Sequence, residues 1–118
     1  MIAVIFEVCP HAESKQQYLD IAETLGSMLK NMDGFISIER FQSLSNPEKI
    51  LSLSFWRDEE AVAGWRNTEA HRGAQAKGRA EIFKDYRLRI GAVIRDYGLT
   101  EREETPQDSK AIHDENVK

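Results

Sequence analysis

FISIERFQSLSNPEKILSLSFW, residues 35–56, is the stretch on which the fold turns. Two segments rich in β-branched and aromatic residues, Phe35 to Ser43 and Lys49 to Trp56, flank the turn-forming cluster Ser45-Asn46-Pro47-Glu48. The spacing predicts an antiparallel hairpin. In its second arm Leu51, Leu53 and Phe55 share one face, because side chains alternate across a strand.

Upstream of the hairpin, Asp33-Gly34 reads as a helix stop, with Gly34 suited to a left-handed cap. The helix it closes is expected from about Ala12 to Met32. Its apolar stripe is Tyr18, Ile21, Ala22, Leu25, Met28, Leu29 and Met32, at spacings of three and four. Before it, Ile2, Val4, Phe6 and Val8 alternate with Ala3, Ile5, Glu7 and Cys9, a strand that Pro10 should end. Downstream, Asp58 is placed to cap a short helix over Glu59 to Arg66, and Thr68 to cap a second from about Glu69 to Lys84. A last strand is expected over Asp85 to Tyr97, ended by Gly98. The order β-α-β-β-α-β is the ferredoxin-like pattern of the α+β class, an antiparallel sheet with both helices on one face. This domain is expected to occupy residues 1–99. Residues 100–118 are polar, with Glu101, Glu103, Glu104, Asp108, Asp114 and Glu115, and are expected to be disordered or ordered by a partner.

Apolar residues fall on both faces of several strands: Ile36 and Ile38 against Phe35 and Phe41, and Ile5 against Phe6. An uncovered sheet face of that kind would be a large apolar patch. A second copy of the chain is the simplest cover, giving a two-fold homodimer packed sheet to sheet.

The chain has 118 residues, 41 % of them hydrophobic, enough for one core. No apolar run approaches the roughly 20 residues that span a bilayer. The opening residues lack a basic leader and Glu7 interrupts their apolar run, so a cytoplasmic location without membrane association is expected. The formal net charge of -4 argues against nucleic acid as a partner. Cys9 is the single cysteine, which leaves no internal disulfide and no cysteine metal cage. Arg57, Arg66, Arg72, Arg79, Arg87, Arg89 and Arg95 crowd the second half; they read either as a solvated surface or as the attraction for an anionic ligand near the second long helix.

On a helical wheel His71, Gln75, Gly78 and Ile82 form one stripe, with Lys77 and Glu81 on the other side. Ile82 should point inward, so His71 and Gln75 should too. Buried polar groups cost free energy unless paired, so the stripe suggests a partly polar cavity. Trp65 reads as a core anchor or as a cavity wall that stacks on a ring. His71 reads as a backbone-bonded histidine or as an acid/base group near neutral pH. Gln75 reads as a satisfied amide or as a donor to substrate oxygen. Glu7 reads as a rim residue or, facing the cavity, as a base or a partner of Arg79. Phe83 reads as packing or as a wall of the substrate site. No phosphate loop, dinucleotide fingerprint or metal-ligand spacing is present.

Gly34-Phe35 opening the second strand, Leu53-Ser54-Phe55-Trp56 closing the third, Asp58-Glu59-Glu60-Ala61-Val62-Ala63-Gly64-Trp65 across the short helix and His71 after it carry a resemblance. Over residues 1–98 the chain resembles the antibiotic biosynthesis monooxygenase superfamily, the dimeric α+β barrels. The resemblance implies a homodimer with one cavity per subunit between sheet and helices. It also implies oxidation of aromatic substrates by O₂ without metal or flavin, as some members do, or haem binding, as others do. In the haem-degrading branch, Glu7 falls at the position of an Asn and Gln75 at that of the iron-ligating His. A carboxylate cannot donate the amide's hydrogen bond, and Gln is a poor iron ligand. Haem is therefore disfavoured and no cofactor is expected. The resulting expectation is a cofactor-independent monooxygenase acting on a small aromatic or polycyclic phenolic molecule. Trp65, His71 and Gln75 would be its catalytic set, and Glu7, Arg79 and Phe83 would contact substrate. The alternatives are a non-catalytic ligand-binding barrel and a haem-binding protein.

Overall fold

The computed structural model describes residues 1–113. Four strands form one antiparallel sheet in the order β2-β3-β1-β4: β1 Ile2–Pro10, β2 Phe35–Gln42, β3 Ile50–Trp56 and β4 Phe83–Ala92. Helices α1 Lys15–Leu29, α2 Glu59–Arg66 and α3 Glu69–Lys77 complete the expected ferredoxin-like arrangement. No helix among the described residues is long and apolar enough to cross a membrane.

The hairpin forms as its sequence predicts, with Phe41 opposite Leu51 and Gln42 opposite Ile50. Its entry is fixed by Gly34, whose φ of 81° is left-handed. A Cβ there would lie 2.5 Å from that of Ala61, so glycine is required twice over. Arg57 then clamps the turn, donating to both carboxylate oxygens of Asp33 at 3.1 and 3.0 Å. Asp58 caps α2 through Ala61 N at 2.9 Å, and Thr68 caps α3 through His71 N at 3.2 Å.

Several element boundaries differ from expectation. The first helix starts as a 3₁₀ turn over Ala12–Ser14 and ends at Leu29. Asn31 and Met32 there bond back three residues, tightening the last turn. β1 ends at Pro10 as expected, and Pro10 pairs with Phe83 across a bulge after Cys9, a position where a strand tolerates proline. α3 gives way to a π-helical turn over Gly78–Ile82, so β4 begins at Phe83 rather than Asp85. Glycine at 78 leaves room for the Phe83 ring, which occupies the space where a Cβ would stand. β4 ends at Ala92, opposite Ile2, because its partner strand runs out; Val93 makes a last bond to Met1 O.

The sequence of residues 100–118 predicts a segment that is disordered or ordered by a partner. Within the described part, Glu104 accepts from Asp96 N at 2.9 Å, Thr105 is buried and a short helix, α4, spans Gln107–His113. The rest of that segment lies outside the described residues.

The helices cover the sheet face that carries Ile50, Ser52, Ser54 and Trp56 of β3, all buried. Two clusters form beneath them. One joins Val8, Tyr18, Ala22, Ile50 and Ile82; the other joins Leu29, Trp56, Ala61, Val62 and Trp65. Leu51, Leu53 and Phe55 share the opposite face, half-buried, with Ala3 and Ile5 beside them in register.

Candidate functional site

Between the two clusters the interior is hollow. The middle of the sheet's inner face offers Ser52 and Ser54 where large residues would close the core, and α3 and the π turn above offer Ala74 and Gly78. The result is a cavity of about 190 Å³, lined mostly by apolar atoms.

His71, Gln75, Gly78 and Ile82 all line it, so the predicted helical stripe faces inward, and Lys77 and Glu81 are exposed. Trp65 stands at the wall, and its ring lies 5.5 Å from that of His71 at 60°. Trp65 is also 91 % buried in the second cluster, so core anchor and cavity wall are one role. Nδ1 of His71 is buried without a hydrogen-bond partner among the described residues. Burial pushes its pKa below the ordinary histidine value, against a backbone carbonyl of Arg66 that favours the charged form; the Arg66 and Arg72 cations push it further down. Burial therefore favours the uncharged form of the imidazole.

Phe83 lines the cavity as expected, in an edge-on group with Phe6, Tyr18 and Tyr86. Glu7 and Arg79 do not. Glu7 is out of phase with Phe6 and Val8, so it projects from the opposite sheet face, where Arg89 donates to it at 3.3 Å. Arg79 follows Gly78 in the π turn and points to solvent. Neither residue therefore reaches a substrate seated in this cavity, and Glu7 does not pair with Arg79.

Sequence reasoning missed three lining residues. Ser54 accepts from Trp56 Nε1 at 3.0 Å, which satisfies a buried indole donor. Tyr18 contributes a phenol whose pKa burial raises, against the Arg40 cation beside it. Arg40 itself enters from β2. One imidazole and one carboxamide, with no group of three His, Cys, Asp or Glu among the described residues, do not make a metal site. The Gln75 carboxamide is a poor ligand for haem iron.

The chain is thus a ferredoxin-like α+β domain with an apolar cavity between sheet and helices, into which one histidine reaches. The chain belongs to the antibiotic biosynthesis monooxygenase family, whose sequence pattern matches residues 1–77. It is 52 % identical over 93 residues to a protein of Pyricularia oryzae (strain 70-15) named Jasmonate monooxygenase ABM. That match covers 79 % of this chain and 43 % of the other, so the chain spans under half that relative's length. Among solved structures it is similar to Rv0793 of Mycobacterium tuberculosis, with TM-score 0.74 and 13 % identity over 82 % of this chain and 98 % of that one. A Deinococcus radiodurans protein assigned to antibiotic biosynthesis monooxygenases has TM-score 0.75 and 13 % identity over 84 % and 98 %. At such identities these two show the shared fold.

Proposed function

We propose that this chain is a monooxygenase domain whose substrate is a small, mainly apolar ring molecule seated between sheet and α3, with His71 as proton acceptor. The observation that carries this reading is the unpartnered, buried Nδ1 of His71 beside Trp65 in an apolar cavity. An apolar cavity of about 150 Å³ takes a benzene ring, so the space here suits one or two rings.

With a phenol, the O–H proton passes to His71 and the electron-rich anion reacts with O₂. A ring C–H bond is replaced by a C–O bond, one oxygen atom becomes the new carbonyl and the other leaves as water. Phenol and O₂ give quinone and water; the substrate supplies all four electrons, and no cofactor enters. Trp65 packs on the ring and Phe83 closes the wall. Gln75 donates to the substrate oxygen as negative charge develops on it.

The working unit is a cytoplasmic homodimer. Its interface is the outer sheet face with Ala3, Ile5, Leu51, Leu53 and Phe55, an apolar surface that one chain leaves uncovered.

Oxygen uptake with small phenols tests the reading. His71→Ala should lose a factor of about 10² to 10⁴ in turnover while keeping its elution as a dimer. Unchanged turnover would remove the proposed base, and a ligand recovered chemically unaltered would leave a binding protein. The 52 % identity to a protein named for jasmonate favours a second substrate class, jasmonate itself. Mass analysis after incubation of each substrate with the protein and O₂ separates the two.

A further inference from the structure

The chain carries a formal net charge of -4, yet no acidic side chain among the described residues lines the cavity. Two arginines do, Arg40 on the sheet side and Arg66 at the end of α2. Arg40 is the unusual one. It sits opposite Ser52 across β2 and β3, and Ser52 is opposite Phe6 across β3 and β1. Residues directly opposite in a sheet share a face, so Arg40 is carried inward with them.

A guanidinium has five donors and is always charged. Nη2 of Arg40 reaches Ala22 O at 3.5 Å, the outer limit of a hydrogen bond, and the Tyr18 hydroxyl is its other neighbour. Nε is buried and without a partner, and no carboxylate of the described residues pairs with Arg40. Arg40 is half-buried, and a guanidinium drawn partly out of water without a counter-ion leaves donors and charge for something else to meet. We infer that Arg40 binds a carboxylate of the substrate, so that the ligand class of this cavity is an apolar ring bearing a carboxylic acid. Tyr18 and Ser52 line the same cavity, and the Tyr18 hydroxyl neighbours Arg40. Arg40 lines the cavity from the sheet and His71 lines it from α3. Arg40 acts on binding and orientation, and His71 on the proton.

This inference rests on the cavity being the substrate site, and the experiment separates the two. Calorimetric titration uses 1-naphthaleneacetic acid, phenylacetic acid and their methyl esters against the full chain. The acids should bind at least about tenfold more tightly than the esters, the discrimination expected of a hydrogen bond to a charged group. Arg40→Gln should erase that preference and leave ester affinity unchanged, while Arg40→Lys should keep part of it, since an ammonium supplies charge without the planar fork. An Ala74→Phe variant should weaken acid and ester alike by filling the cavity. Equal binding of acid and ester by the unaltered chain overturns the role of Arg40 and leaves the cavity reading standing. That comparison does not depend on any variant folding. Acid preference that survives Arg40→Gln also overturns it. Binding that Ala74→Phe does not touch, or no binding of either form, overturns both.

Discussion

The two ends of the inner sheet face and its middle are built from the same strands and behave as opposites. At the ends of β3, Ile50 and Trp56 are driven into packed clusters, Trp56 with 1 % of its surface exposed. In the middle, Ser52 and Ser54 leave a hollow that α3 roofs with Ala74 and Gly78. Tight packing is therefore concentrated in the ends and open space in the centre. Substitutions should separate cleanly along that line, large effects on folding from the ends and effects on ligand from the middle.

The hardest test of the packed end is Trp56→Ala. Removing a fully buried indole costs roughly 3–5 kcal/mol, a large part of the stability of a domain this size. Chemical denaturation should show that loss, and a loss below about 1 kcal/mol would mean the end is as loosely filled as the middle. Gly78→Ala tests the border. Its Cβ would meet the Phe83 ring, and that ring is held among Phe6, Tyr18 and Tyr86, so it has little freedom to retreat. Overpacking of this kind costs about 1–3 kcal/mol, and ligand affinity should fall with it as the wall is displaced. Ser54→Ala should cost about 1 kcal/mol or somewhat more by leaving Trp56 Nε1 buried and unpaired. Ser54→Thr, which keeps the acceptor, should recover most of that loss.

Local rules carried the sequence reading a long way. Asp58 and Thr68 were legible as caps because the signal is a side chain bonding a backbone group three residues on. The hairpin was legible from its turn cluster. The middle of the core was not, and the reason is parity. Leu51, Leu53 and Phe55 make the obvious apolar face of β3, but it is the outer one; the buried face is marked by Ile50 and Trp56, which bracket two serines. Arg40, between Glu39 and Phe41, reads like a solvated strand position. Only the pairing with Ser52, a long-range fact, turns it inward. Conversely, Glu7 was open to correction from sequence alone, since its phase opposes Phe6 and Val8. The π turn was not legible, because nothing in the helical period announces that Phe83 will fold back onto Gly78.

The mildest perturbation of the hollow is a proton on His71. Its folded-state pKa lies below the ordinary value of 6.5, because burial penalises the imidazolium. The unfolded chain, with the ordinary value, takes up the proton first as pH falls. Acidification through 6.5 therefore favours the unfolded state, and this loss continues until the folded pKa is reached, below which it grows no further. Thermal melts of the native chain and of His71→Gln at pH 7.5, 6.5 and 5.5 isolate the effect, since other groups titrate alike in both. The difference in Tm between the two proteins should shift in favour of His71→Gln as pH drops. The effect is modest because the ring is only partly buried. Parallel melting curves at all three pH values would place the imidazole in water, and the middle of the sheet would then be no drier than the surface.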